Sequence, residues 1–163
     1  MFAIRPARKE DAPEACALIH RSIKELCAED HDGDPIALTG WLANKTVRNI
    51  EVWFSQLGLY SFIAERDGQM MGLSTLSGGG EIMLLYVLPE ARFQGVSTAL
   101  LARMEEQTRA LHREICSLTS SLTARRFFLS RGYELMPSED EDDGLGLDAP
   151  VNFSKILTSP SQT

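Results

Sequence analysis

The residues best placed to do chemistry lie between Leu85 and Leu101, in the run Leu85-Tyr86-Val87-Leu88-Pro89-Glu90-Ala91-Arg92-Phe93-Gln94-Gly95-Val96-Ser97-Thr98-Ala99-Leu100-Leu101. An apolar stretch of strand character runs into a loop, and a glycine followed by small residues opens a segment of helical period. The first N–H groups of a helix have no partner inside it and point outward at the positive end of the helix dipole. Such a junction can cradle a phosphate or a diphosphate. Gly95 lets the main chain approach an anion closely, Ser97 and Thr98 offer hydroxyl donors, and Arg92 adds a positive charge. By itself the junction also fits an ordinary glycine turn ahead of a helix. Neither G-x-G-x-x-G nor G-x-x-x-x-G-K-[ST] occurs, which argues against dinucleotide and P-loop readings.

The elements that must position this stretch follow from apolar spacing. Ala3-Ile4-Arg5-Pro6 reads as a short strand closed by proline. Asp11 and Glu14 have capping-box spacing, and Ala12, Cys16, Ile19, Ile23 and Leu26/Cys27 then give one apolar helical face as far as about Ala28. Ile36 to Leu57 reads as one or two short helices. Strands at Tyr60–Glu65 and Met70–Leu76 flank Asp67-Gly68, a two-residue hairpin turn, and Glu81–Val87 follows a glycine-rich turn as a third strand. A helix over Val96–Leu111 leads to a strand around Glu114–Leu118. Thr123 is placed to cap a short helix over Ala124–Ser130, which Gly132 stops. Tyr133–Met136 and Val151–Leu157 complete the strands. A meander followed by strand–helix–strand predicts an α/β domain with a mixed, mostly antiparallel central sheet flanked by helices. Residues 1–157 are expected to form that single domain, and 158–163 a frayed tail.

Composition narrows the partners. The 163 residues are 44% hydrophobic, a globular composition, and no apolar run is long enough to span a bilayer. The opening residues lack the pattern of a secretory leader, so a cytoplasmic location is expected. A net charge of −7 argues against nucleic acid and anionic membranes, and an anionic cofactor must therefore be held by local geometry. Cys16, Cys27 and Cys116 show no zinc-ligand spacing and, being odd in number, form no closed disulfide framework. The alternation Asp30-x-Asp32-x-Asp34 is not a calcium loop, because Pro35 and Trp41 stand where glycine and glutamate are needed. No metal site is expected.

The stretch Arg92-Phe93-Gln94-Gly95-Val96-Ser97, preceded by Tyr86-Val87-x-Pro89, resembles the coenzyme-binding segment R/Q-x-x-G-x-G/A of the GNAT-type N-acetyltransferase superfamily. Ile4-Arg5-Pro6-Ala7 with Glu10-Asp11-Ala12 resembles the family's usual start, and Ala124-x-x-Phe127-Phe128-x-x-x-Gly132-Tyr133 its A-x-x-F-Y-x-x-x-G-F ending. Three matches in order cover nearly the whole chain. The resemblance implies an acetyl-CoA-dependent N-acetyltransferase. Leu85, Tyr86 and Val87 would hold the pantetheine arm and acetyl carbonyl through a splayed or bulged strand. Arg92, Phe93, Gln94, Gly95, Val96 and Ser97 would wrap the diphosphate, with Thr98 adjoining, and Ala124 and Phe128 would line the thioester end. Glu81, eleven positions before Arg92, stands where histone-acetylating members carry a general base.

The pattern also departs from the family. Ser97 replaces its last Gly/Ala, and Phe128 stands where many members place a tyrosine thought to protonate the leaving thiolate. Tyr86, Tyr133, Thr119 and Ser120 are the other hydroxyls available. The mechanism implied is direct attack by a neutral primary amine, without an acyl-cysteine at Cys116. The acceptor would be a small amine or a basic peptide, and the acidic run Ser138–Asp143 could attract a cation. Many members of the superfamily dimerise, so a homodimer is also compatible. The competing reading, motivated by Phe128, is a catalytically impaired relative that binds acyl-CoA as a sensor or partner subunit.

Overall fold

The computed structural model describes residues 2–27, 34–120, 124–135 and 151–157. The chain begins with β1 (Ala3–Pro6), whose closing proline is tolerated at a sheet edge. A 3-10 turn at Lys9–Asp11 leads into α1 (Ala12–Leu26), which buries Ala12, Ala15, Leu18, Ile19, Ser22 and Ile23 at the expected steps of three and four.

The capping box expected of Asp11 and Glu14 does not form. Asp11 precedes α1 but caps nothing there; its carboxylate takes two hydrogen bonds from Arg5, at 2.9 and 2.8 Å, and one from the Arg8 N–H at 2.7 Å. Glu14 instead accepts from the Met70 N–H at 3.0 Å, tying α1 to a strand 56 residues away. Both carboxylates found partners that local spacing cannot reveal.

Two helices follow, α2 (Pro35–Leu42) and α3 (Val47–Ser55), each with a side-chain N-cap. Asp34 accepts from the Ile36 N–H at 3.0 Å and Thr46 from the Asn49 N–H at 3.1 Å. Asp34 is thus a cap, while Asp30 and Asp32 of the acidic alternation lie outside the described residues.

The meander consists of β2 (Leu59–Arg66), β3 (Gln69–Ser77) and β4 (Glu81–Val87). Asp67 and Gly68 turn between the first two with φ of 51° and 78°, the backbone that this two-residue turn demands. Then come α4 (Val96–Ala110), β5 (Ile115–Ser120), α5 (Arg125–Ser130), β6 (Glu134–Leu135) and β7 (Val151–Ile156). Among the described residues the seven strands form one sheet in the order β1-β2-β3-β4-β5-β7-β6. Only β4 and β5 run parallel, joined through α4, so the sheet is mixed and mostly antiparallel as expected. Sequence order did not reveal that β7 inserts between β5 and β6.

The core lies between the sheet and its helices, with Ile19, Ile23, Ile50, Ile63, Leu73, Leu76, Leu100 and Met104 fully buried. α4 sits hard against β3. A Cβ on Gly72 would come within 2.8 Å of Val96 Cγ1 and 3.1 Å of Leu100 Cδ1, so the absent side chain lets the helix N-terminus seat on the sheet. No helix among the described residues is long and apolar enough to cross a membrane.

Candidate active site

The site begins where β4 leaves β5. β4 pairs with β3 as far as Gly72↔Val87, but its parallel ladder with β5 covers only Glu81↔Ser117 and Ile82↔Leu118. From Met83 onward the two strands diverge over the remaining five residues of β4, about 16 Å at strand rise. The β3 register slips between Thr75 and Leu76 and leaves Met83 bulged. Of the splayed or bulged strand expected around Leu85, Tyr86 and Val87, the splay from β5 runs along these residues, whereas the bulge falls before them at Met83.

The splay opens toward the junction that the sequence singled out. Pro89–Ala91 forms a 3-10 turn, Phe93 adopts φ 64°, and Gly95 precedes α4 with φ 81°. A Cβ on Gly95 would meet nothing within 4 Å, so it faces open space. The first helical bond of α4 is Ala99 N–H to Gly95 O at 3.0 Å, which leaves the N–H groups of Val96, Ser97 and Thr98 outside the helix ladder. α4 is 15 residues long, enough for its dipole to favour an anion there.

A cavity of about 480 Å³ lies beside this turn. Val87, Arg92, Phe93, Gly95, Val96, Ser97, Thr98 and Ala124 line it, eight of the residues expected from sequence. Leu85 and Tyr86 are half-buried on β4, and Gln94 is exposed on the loop; none of the three lines this cavity. Phe128 does not line it either. It is buried in the core, edge-on to Tyr133 with ring centroids 5.5 Å apart, and its neighbour Phe127 lines the cavity. On a short helix two adjacent residues face in directions about 100° apart, so one aromatic turned inward puts the other on the wall.

Ser22, Leu26, Cys27 and Arg131 stand on the same walls; the segment from Ser22 through Cys27 to Trp41 is expected from sequence as a wall of the acceptor cleft, whereas nothing in the sequence singles out Arg131. The first three close α1, about seventy residues before the motif, and no local signal joins them to it. Arg131, 5.7 Å from the Phe127 ring centroid, and Arg92, 4.8 Å from that of Phe93, supply two cations at the cavity of an acidic protein. That is the local compensation an anionic ligand needs.

Glu81 lies at the other end of β4. Its carboxylate is exposed, and its N–H donates to Ser77 Oγ at 3.1 Å. Gly80 makes that start possible: at φ 89°, any Cβ would fall 2.5 Å from the Ile115 carbonyl oxygen. Cys116, beside Thr108 of α4, is buried on the helix side of β5, so Ser117 and its partner Glu81 point away from α4. Glu81 therefore stands exposed on the face of the sheet away from α4, at the closed end of the splay.

Of the hydroxyl candidates, Thr119 is otherwise engaged and Tyr133 is sealed in the core. Thr119 Oγ1 bonds Asn152 Oδ1 at 2.8 Å, and Tyr133 is buried beneath α4 with Lys155 Nζ 5.6 Å from its ring centroid. Burial pushes the Tyr133 phenol well up. It raises the Cys116 thiol too, which suits the expectation of no acyl-cysteine. Thr123, the acidic run Ser138–Asp143 and the tail 158–163 lie outside the described residues.

Comparison with known proteins places this geometry. Residues 41–147 match the family model described as an acetyltransferase (GNAT) domain. The chain is 33% identical to the aminoalkylphosphonate N-acetyltransferase of Salmonella typhimurium, covering 78% of this chain and 90% of that protein. The crystal structure of a GCN5-related N-acetyltransferase from Rhodopseudomonas palustris superposes with a TM-score of 0.81 at 28% identity, over 95% of both chains. The PaiA N-acetyltransferase of Thermoplasma acidophilum, solved with coenzyme A, shares the fold at a TM-score of 0.79 and 16% identity, over 96% of this chain and 99% of that one.

Proposed function

The chain belongs to the GNAT acetyltransferase family, and we propose that it moves the acetyl group of acetyl-CoA to a small primary amine by direct attack, within one domain spanning residues 1–157. That it is an N-acetyltransferase follows from the family and from its curated relative. The residue roles and the acceptor are the proposal.

In this reading the diphosphate of the cosubstrate rests on the N–H groups of Val96, Ser97 and Thr98 at the α4 terminus. Arg92 supplies charge, and Ser97 and Thr98 add hydroxyls. The pantetheine arm follows Val87, Tyr86 and Leu85 into the splay between β4 and β5, where main-chain N–H groups orient the thioester. Ala124 and Phe127 form the apolar wall along that path, and Phe128 supports Phe127 from behind.

The acceptor approaches from the exposed Glu81 end of β4. Glu81 takes a proton from its ammonium, directly or through water, and the neutral nitrogen attacks the carbonyl carbon. Main-chain N–H groups stabilise the oxyanion as the carbon–nitrogen bond forms. The carbon–sulfur bond then breaks, coenzyme A leaves as a thiolate, and the nitrogen gives up its remaining extra proton to solvent or to the departing thiolate. A thiolate is stable at modest pH, so the missing phenol at Phe128 does not bar the reaction. The small-amine class is supported by the curated relative, whose name describes an aminoalkyl acceptor.

The observation that carries this reading is the divergence of β4 from β5 beside an unpaired helix terminus. Its test is thiol release from acetyl-CoA across a panel of small amines, aminoalkylphosphonates and lysine peptides. Turnover with at least one small amine supports the reading. Thiol release with none of the panel, in protein that binds coenzyme A, would favour the sensor alternative.

A further inference from the structure

Two arginines outside the motif hold its loop from separate elements. Arg21 on α1 contacts both carboxylate oxygens of Glu90, one of them through Nη1 at 3.2 Å and the other through Nη2, while its Nε donates to Glu25 at 3.0 Å. Arg66, closing β2, donates from Nη1 to the Gln94 side-chain oxygen at 3.0 Å. The Gln94 amide in turn donates to the Glu90 carbonyl oxygen at 3.0 Å. Glu90 is therefore fastened through its side chain and its main chain at once.

The position of this pair gives it more than a surface role. Ser22, next to Arg21, and Leu26 line one wall of the cavity, while Ala91 and Arg92, next to Glu90, line another. The ion pair spans the gap between those walls. Glu90 also stands two residues before Arg92, where a bare carboxylate would oppose an incoming diphosphate within a Debye length of about 8–10 Å. In a chain of net charge −7 that opposition has little to offset it.

We propose that Arg21 is a positioning residue for the cosubstrate: reaching from α1, it cancels Glu90, the one negative charge on the diphosphate loop. The inference rests on Arg92–Thr98 being the coenzyme cradle. It requires that the Glu90 carboxylate be harmful to binding when alone and harmless when paired.

A charge cycle measured by calorimetry with coenzyme A tests this. Arg21→Gln weakens binding by about two- to fivefold at low salt, the range of an exposed charge pair. Glu90→Gln binds at least as tightly as wild type, and the double variant Arg21→Gln/Glu90→Gln recovers to within about twofold of it. Arg21→Lys, which keeps the charge, retains most of the affinity. Raising salt to about 0.5 M shrinks the Arg21→Gln deficit, which a purely structural defect would not do. Unchanged binding in Arg21→Gln overturns the compensation, as does a double variant as weak as Arg21→Gln. Wild-type protein that takes up no coenzyme A removes the cradle reading itself, so the two failures are distinguishable.

Discussion

Ile82 faces Leu118 in the last rung that β4 shares with β5, and every residue of β4 beyond it runs along an opening rather than a neighbouring parallel strand. The rung sits at the vertex of a wedge whose wide end is the α4 terminus and whose narrow end carries Glu81. On the proposed reading, cosubstrate entry, thioester placement and proton removal would be laid out along this one strand of seven residues.

Gly95→Ala tests the cradle. The cost of φ 81° for a non-glycine residue is about 1–2 kcal/mol, and no neighbour within 4 Å adds a steric penalty. The fold should survive with a modest drop in thermal midpoint. Coenzyme A affinity should fall by about tenfold or more, because the new Cβ occupies the space where the anion rests. A destabilised variant that binds coenzyme A normally would argue against the cradle.

Glu81→Gln tests the proton acceptor. Turnover at neutral pH should fall about 10²-fold, with coenzyme A binding intact because Glu81 lies at the far end of β4. Unchanged turnover from about pH 6 to 9 would remove Glu81 from that role.

Much of this was legible in the sequence because the determinants are local. The two-residue turn at Asp67-Gly68 announces the hairpin, and Glu81–Val87 is a strand with the bounds that its glycine turn and Pro89 imply. The turn proposed to hold the anion reads directly from Gly95 and the small residues after it. What escaped depends on tertiary contact. Asp11 and Glu14 show capping spacing, yet Arg5 and the Met70 N–H claim them. Phe127 and Phe128 are chemically alike, and only the packing of α5 decides which one faces the cavity. Arg21 and Glu90 meet across a separation of 69 positions, which no local periodicity encodes.

The Arg5–Asp11 pair should appear in the pH dependence of stability. Hydrogen bonds from Arg5 hold the Asp11 carboxyl below its ordinary range, against the smaller opposing effect of burial. A folded-state value below the unfolded one, about 4, means the contribution is complete above that pH and is lost as pH falls through the folded value. Asp11→Asn should be less stable than wild type by about 1–2 kcal/mol at pH 7, with the gap closing as pH falls below the unfolded value. Urea midpoints from pH 7 to 2 would check this; a gap independent of pH would contradict it.

Gly72→Ala tests the seat of α4. Its Cβ would fall 2.8 Å from Val96 Cγ1 and 3.1 Å from the Tyr86 carbonyl oxygen. The expected loss is about 1–3 kcal/mol, since a well-packed core accommodates an added carbon only by moving its neighbours. The helix terminus must shift with Val96, so coenzyme A affinity should fall too. Full stability with unaltered binding would show that the helix has more room than its contacts imply.

Direct transfer predicts a kinetic pattern. Burial keeps the Cys116 thiol protonated, and its side chain is sealed under α4. Initial rates at varied acetyl-CoA and amine should give intersecting rather than parallel reciprocal plots. Alkylating reagents should modify Cys16, the least buried of the three thiols, well before Cys116. Parallel plots with an acetylated Cys116 would overturn single displacement.

The most direct measurement is a crystal structure grown with saturating coenzyme A. The diphosphate oxygens should lie within about 3.2 Å of the N–H groups of Val96, Ser97 and Thr98, with the pantetheine arm running between β4 and β5. A structure with coenzyme bound elsewhere and this turn empty would contradict the account at its root.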